Sequence, residues 1–264
     1  MYGFEYSKAA SAEAAAQSLK DDEDAKVLAG GMTFIPTLKA RLAMPTQVID
    51  LNSLPELSGI TVTADTVRIG AMTRHAHVAA DADVKAAIPA LAYLAGNIGD
   101  PMVRNRGTIG GSVANADPAA CYPSAILGLG ATVHTTERDI DGDSFFTEMF
   151  ETALQEGELI KAVTFKRPDA AAYMKFPNPA SRYAMVGVFL SKGSDGIRVG
   201  VTGAAPYAFR FAAAETALNA DFSTQALENV TIDPDMLNTD MHATAAYRAS
   251  LVLTMTKRAV DACL

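Results

Sequence analysis

The sequence predicts an α+β protein, and three observations predict it. Two glycine pairs each close a short apolar segment and open a stretch of small residues, Ala29-Gly30-Gly31-Met32-Thr33 and Thr108-Ile109-Gly110-Gly111-Ser112. Around them short strands alternate with amphipathic helices. Beyond about residue 159 the texture changes to consecutive strands followed by helices. With 264 residues, 49% of them hydrophobic, the chain can bury a sizeable core as one large domain or two unequal ones.

From the N-terminus, Ser11 caps a helix over residues 12–20, with Ala12, Ala15, Ala16 and Leu19 on one face and Glu13 at the positive end of the dipole. Asp21 to Asp24 reads as a solvated acidic turn. Lys26-Val27-Leu28-Ala29 reads as a short buried strand entering the first glycine pair, and Phe34, Ile35, Leu38 and Leu42 then recur at helical spacing. Pro45 closes that helix, and residues 47–51 and 67–70 are strands. Val84, Ile88, Leu91 and Leu94 mark a helix over 83–95 that Pro89 interrupts. The second glycine pair follows a bend at Asp100-Pro101. Residues 159–165 and 183–190 are strands, the latter paired with 197–202 across a glycine-containing hairpin connection. Residues 209–218 and 244–263 are helical, the last with Leu251, Val252, Met255 and Val260 inward and Lys257-Arg258 near its C-terminus. A domain boundary is expected near Lys166-Arg167-Pro168, leaving an α+β tail.

The glycines carry the chemistry. A backbone without Cβ approaches an anion closely and adopts the positive φ of anion-binding nests. Two such turns about eighty residues apart read as two walls of one cleft for a doubly charged ligand, and a dinucleotide pyrophosphate fits. The net charge of −8 argues against a nucleic-acid partner and leaves backbone dipoles to hold a phosphate. Gly128-Leu129-Gly130 lacks the third glycine of GxGxxG, and no GxxxxGK[ST] occurs, so Rossmann and P-loop readings fall. Cys121 and Cys263 form no CxxC, and His75 and His77 have no third ligand, so no metal site is expected in this chain. With no signal segment and no long apolar run, a reduced, cytoplasmic setting is expected.

The stretches 28–36, Ile69-Gly70-Ala71-Met72-Thr73, 100–112 and 114–120 resemble the FAD-binding medium subunit of the carbon monoxide dehydrogenase and xanthine dehydrogenase family of molybdenum hydroxylases. The likeness runs over essentially the whole chain, with softer agreement at Gly157-Glu158-Leu159-Ile160, Lys175-Phe176, Ser181-Arg182-Tyr183-Ala184, Tyr247-Arg248 and Lys257 to Val260. It implies an FAD-binding domain of the vanillyl-alcohol-oxidase (PCMH) type over 1–166, in subdomains of about 1–55 and 56–166. A small C-terminal domain over 167–264, a three-stranded sheet with helices, closes over the flavin.

On that resemblance Ala29, Gly30, Gly31, Met32 and Thr33 cradle the pyrophosphate, and Thr108, Gly110, Gly111 and Ser112 form the opposite wall. Asp117 is implied as a ribose or ribityl partner, although before Pro118 it reads equally as a turn former. Ile160 packs on the isoalloxazine, Tyr183 lies near its face and Lys175 near its polar edge, where a cation favours the anionic reduced ring. From strand position alone, Tyr183 is equally a core aromatic and Lys175 a surface cation. The chain departs from the family at Ser112, where asparagine is frequent, and at Cys121, where aspartate is. A large partner then carries the molybdenum cofactor and a small one two [2Fe–2S] clusters, in a doubled three-subunit assembly (αβγ)2. This chain's FAD passes electrons to an external acceptor such as a quinone. Two other readings stand beside this one: a stand-alone FAD-dependent oxidase or reductase with its own small substrate, and a flavin-binding assembly or sensor module.

Overall fold

A computed structural model describes residues 1–264. The chain opens with β1 (Glu5–Lys8), α1 (Ala12–Asp21), β2 (Lys26–Leu28), α2 (Phe34–Lys39) and β3 (Gln47–Asp50), and β3 lies between β1 and β2 in an all-parallel sheet. Ser11 caps α1 as expected, its Oγ accepting from the Ala14 N–H at 3.0 Å. Ala12, Ala15 and Ala16 pack on Ile49 and Leu51. Three expectations change here. The sequence carries no signal for β1, whose largely exposed residues show no apolar alternation. The strand expected to be buried, β2, is a partly exposed edge because β3 takes the centre. Leu42 is 80% exposed, since α2 stops at Lys39 and Arg41 turns the chain at φ 59°.

The middle of the chain contains β4 (Ile60–Val62), β5 (Thr66–Gly70), α3 (His75–Ala80), α4 (Ala82–Ala87), α5 (Pro89–Gly96), α6 (Pro101–Arg106), α7 (Ile109–Asn115) and α8 (Tyr122–Gly128). After them come β6 (Thr132–Thr135), β7 (Asp139–Asp141), the small hairpin β8 (Phe146–Glu148) and β9 (Glu151–Thr152), and β10 (Ile160–Lys166). An antiparallel sheet runs β4-β5-β10-β6-β7. Val67, Ile69, Val163 and Phe165 of this sheet share a core with Ile109, Tyr122 and Ile126 of the helices. Pro89 divides the expected helix, with Ile88 ending α4 and preceding α5.

The remainder is β11 (Ala170–Pro177), β12 (Ala184–Gly193), β13 (Gly196–Thr202), β14 (Phe209–Arg210), α9 (Ala212–Ala220) and α10 (Ala245–Asp261). The sheet has four strands in the order β11-β12-β13-β14, not the expected three. Phe209 belongs to a strand instead of a helix because it pairs with Val201, and the Phe211 N–H still reaches the Val199 carbonyl at 2.8 Å. The last helix buries Leu251, Val252, Met255 and Val260, as its spacing predicts. This sheet packs directly on α8: a Cβ at Gly200 would fall 2.2 Å from the Ser124 carbonyl oxygen, and one at Gly128 2.6 Å from that of Phe189. The α+β class is thus seen throughout.

Candidate functional site

The first glycine segment leaves β2 and enters α2 through Gly31, whose φ of +73° is costly for any residue with a Cβ. No backbone carbonyl takes the N–H groups of Ala29, Gly30, Gly31, Met32 or Thr33. Five consecutive donors without a backbone acceptor thus lie in the bend between β2 and α2. Met32 and Thr33 are exposed, and Thr33 precedes α2 without capping it by its side chain.

The second glycine segment differs from expectation. Gly110 and Gly111 lie in the first turn of α7 with ordinary φ, and their N–H groups are already used. Gly110 donates to the Ala71 carbonyl at 2.8 Å, Gly111 to Thr108 Oγ1 at 3.2 Å, and Ser112 to the Thr108 carbonyl at 3.0 Å. Close approach, not positive φ, is what these glycines provide: a Cβ on Gly110 would sit 2.5 Å from the Ala71 Cβ. Residues 108–112 therefore present small size and a capped backbone instead of free backbone donors.

The two segments do meet. A Cβ built on Gly111 comes 3.6 Å from the Ala29 Cβ, and one on Gly30 would fall 2.4 Å from the Arg106 carbonyl oxygen and 2.8 Å from the Gly107 Cα. Residues that spacing alone did not reveal hold this contact. Asn52 donates from Nδ2 to the Ala29 carbonyl at 3.0 Å, while Arg74 donates to both Asn52 Oδ1 and the Arg106 carbonyl. The half-buried Arg74 guanidinium has its pKa lowered, first by burial and then by the Arg106 charge. Asn52 and Arg74 also border a cavity of about 760 Å³. None of the glycine-segment residues lines it.

Behind α7, the Asp117-Pro118-Ala119-Ala120 turn is sewn to the C-terminal sheet. Gly203 N–H and Thr202 Oγ1 donate to the Pro118 carbonyl at 2.7 and 2.9 Å, and Thr202 Oγ1 also reaches the Ala120 carbonyl at 2.7 Å. Asp117 holds the turn through the Ala119 N–H at 2.8 Å, and burial raises its pKa. Tyr183, 47% exposed, has its phenol pKa raised by burial, then by Asp117 and Cys121. The exposed ring is thus not a core aromatic, and it lies beside the Asp117 turn.

Lys175 and Ile160 both lie on strands. Lys175 Nζ, on β11, donates to the Asn97 carbonyl at the end of α5, at 2.8 Å. Ile160 opens β10 at 7% exposure within the middle core. His75 is buried beneath the second segment, its Nδ1 without a partner and its ring 5.4 Å from that of Tyr122. Burial, then Arg74 and Arg104, hold its pKa down at about 4. No three His, Cys, Asp or Glu side chains come together as a metal-binding group.

Residues 2–167 match the family model described as the FAD binding domain in molybdopterin dehydrogenase. The chain is 34% identical to the nicotine 6-hydroxylase medium subunit of Paenarthrobacter nicotinovorans over 270 residues, covering 97% of this chain and 95% of that one. It is 33% identical to the carbon monoxide dehydrogenase medium chain of Hydrogenophaga pseudoflava, over 90% of this chain and 89% of the relative. Among solved structures, carbon monoxide dehydrogenase from Hydrogenophaga pseudoflava superposes with a TM-score of 0.89 at 33% identity, covering 98% of this chain and 96% of that one. Quinoline 2-oxidoreductase from Pseudomonas putida 86 gives 0.88 at 28%, covering 99% and 96%.

Proposed function

The chain belongs to the FAD-binding medium subunits of molybdopterin dehydrogenases, oxidoreductases of the molybdenum hydroxylase type, and from that premise we propose that it is the electron-transfer member of a larger complex. Electrons enter from [2Fe–2S] clusters of a small partner and leave to an external acceptor such as a quinone. A large partner with the molybdenum cofactor oxidises the substrate. The assembly is a doubled trio, (αβγ)2, in the cytoplasm or at the inner face of the membrane; no helix of this chain is long and apolar enough to cross it.

The observation that carries the reading is the row of N–H groups from Ala29 to Thr33 without backbone acceptors, set against the glycine face of α7. Donors fixed before a ligand arrives lose little ordering entropy on binding it. Ala29 to Thr33 take the FAD pyrophosphate, with the Thr33 hydroxyl as a further donor. Thr108, Gly110, Gly111 and Ser112 form the facing wall, and Asp117 orients the ribityl or ribose hydroxyls. Tyr183, Lys175 and Ile160 line the ring, with Lys175 supplying positive charge at its polar edge. Residues 1–166, in subdomains of about 1–55 and 56–166, form the FAD-binding domain, and 167–264 closes over it. Bound FAD supplies the capacity to exchange electrons singly or in pairs. Without an acid/base pair or metal set in view, this chain's residues bind, orient and exclude water from that carrier.

The test is Gly111→Val in the purified complex. A branched side chain between Thr108 Oγ1, 2.9 Å from the Cβ position, and the Ala29 Cβ at 3.6 Å fills the gap between the walls. Flavin absorbance and heat-released FAD are expected to vanish. Full FAD occupancy in a folded Gly111→Val complex would remove the second segment from the site.

A further inference from the structure

We propose that Arg74 and Asn52 form a brace that aims the first glycine segment at its anion, which makes both of them positioning residues for FAD binding. The proposal rests on the FAD reading above and adds to it two residues outside both glycine segments.

The geometry is a continuous chain of donors. Arg74 donates through one Nη to Asn52 Oδ1 and through the other to the Arg106 carbonyl. Asn52 is oriented further by Asp50, whose Oδ1 accepts from the Asn52 N–H at 2.9 Å and from Nδ2 at 2.5 Å. From Nδ2 the amide also donates to the Ala29 carbonyl at 3.0 Å. A trans peptide is planar, so its C=O and the next N–H point in opposite directions. Holding the Ala29 carbonyl on Asn52 therefore directs the Gly30 N–H away from the brace, and that N–H has no backbone acceptor.

The same guanidinium holds the other wall. The Arg106 carbonyl that it grips is the atom 2.4 Å from the Cβ position of Gly30, so one side chain sets the spacing of segments far apart in sequence. Arg74 makes no ion pair with a carboxylate; its charge rests on an amide and a carbonyl. Linked hydrogen bonds polarise one another, so a positive charge at the start of the chain strengthens the N–H donor at its end. A planar fork reaches both acceptors at once, which a single ammonium cannot do in the same geometry.

The experiment compares FAD dissociation from the purified complex for the parent, Arg74→Met, Asn52→Leu and the double variant, with melting of each FAD-free protein alongside. Each single variant is expected to raise the FAD dissociation constant at least tenfold. The double variant is expected to be no worse than the more severe single one, because both break one chain. A residue that only stabilises the fold would lower FAD-free melting and leave FAD dissociation unchanged. Parent-like FAD dissociation in both single variants, or effects that multiply as independent ones, overturns the brace. If Arg74→Met does not assemble, Arg74→Lys replaces it: the same loss of FAD supports the brace, and parent-like binding overturns it. A parent complex devoid of FAD defeats the FAD reading itself, whereas FAD loss in Gly111→Val with parent-like brace variants defeats only the brace.

Discussion

Gly30 does not have positive φ, yet a side chain there collides with main-chain atoms of the opposite wall, the Arg106 carbonyl oxygen at 2.4 Å and the Gly107 Cα at 2.8 Å. Backbone cannot swing aside as a flexible side chain can, so Gly30→Ala must push the segments apart. The expected result is a folded complex that loses most of its FAD on gel filtration, read as the ratio of flavin to protein absorbance. His75 supplies a second prediction at this scale. Unfolded, it takes a proton near its ordinary pKa of 6.5; folded, it stays neutral down to about 4. The unfolded chain therefore binds more protons between those values, and stability falls as pH drops through that window, by at most about 3 kcal/mol. Urea denaturation of the parent and His75→Gln from pH 7 to 4 checks this, with the variant expected to lose the part of the slope due to that ring. The glycines were legible because their type and order are unusual, but Asn52 and Arg74 follow no period and sit in neither motif. Only the folded chain brings them to the Ala29 and Arg106 carbonyls.

Among elements, α10 holds the C-terminal sheet through Arg248, 4% exposed, which donates to the Met185 and Gly203 carbonyls at 2.7 and 2.8 Å and to Asp240 at 2.7 Å. Gly203 in turn donates to Pro118, so the helix supports the turn beside Tyr183. Arg248→Met leaves two buried carbonyls without this donor and is expected to cost about 3 kcal/mol. Chemical denaturation measures that loss, and the flavin spectrum of the folded fraction is expected to shift with it. Long periodic elements were readable: α10 from its inward stripe, α1 from Ser11, and the α4/α5 break from Pro89. Elements defined by pairing were not. β1 has no apolar alternation to mark it, β14 is two residues fixed by the neighbouring Val201 and Gly200, and the second glycine turn is a helix because Thr108 caps it. Local sequence states which residues can turn; tertiary partners decide whether their N–H groups stay free.

At the scale of the whole molecule, the chain brings two glycine walls together and sews the C-terminal sheet to the turn behind them, but assembles no three-residue metal group. On the proposed function, its flavin takes electrons from a neighbouring subunit. The family was legible because its motifs occur in order along most of the chain; the substrate was not, because the residues that select it are proposed to lie in another subunit. The most direct measurement is anaerobic flavin absorbance after mixing with a panel of carbon monoxide, aldehydes and N-heterocycles. It is made once on the complex expressed with its genomic neighbours and once on the isolated chain loaded with FAD. Bleaching by at least one panel member in the iron- and molybdenum-containing complex, and by none in the isolated chain, is the predicted result. Bleaching of the metal-free isolated chain would contradict the account and make the protein a self-contained flavin oxidoreductase.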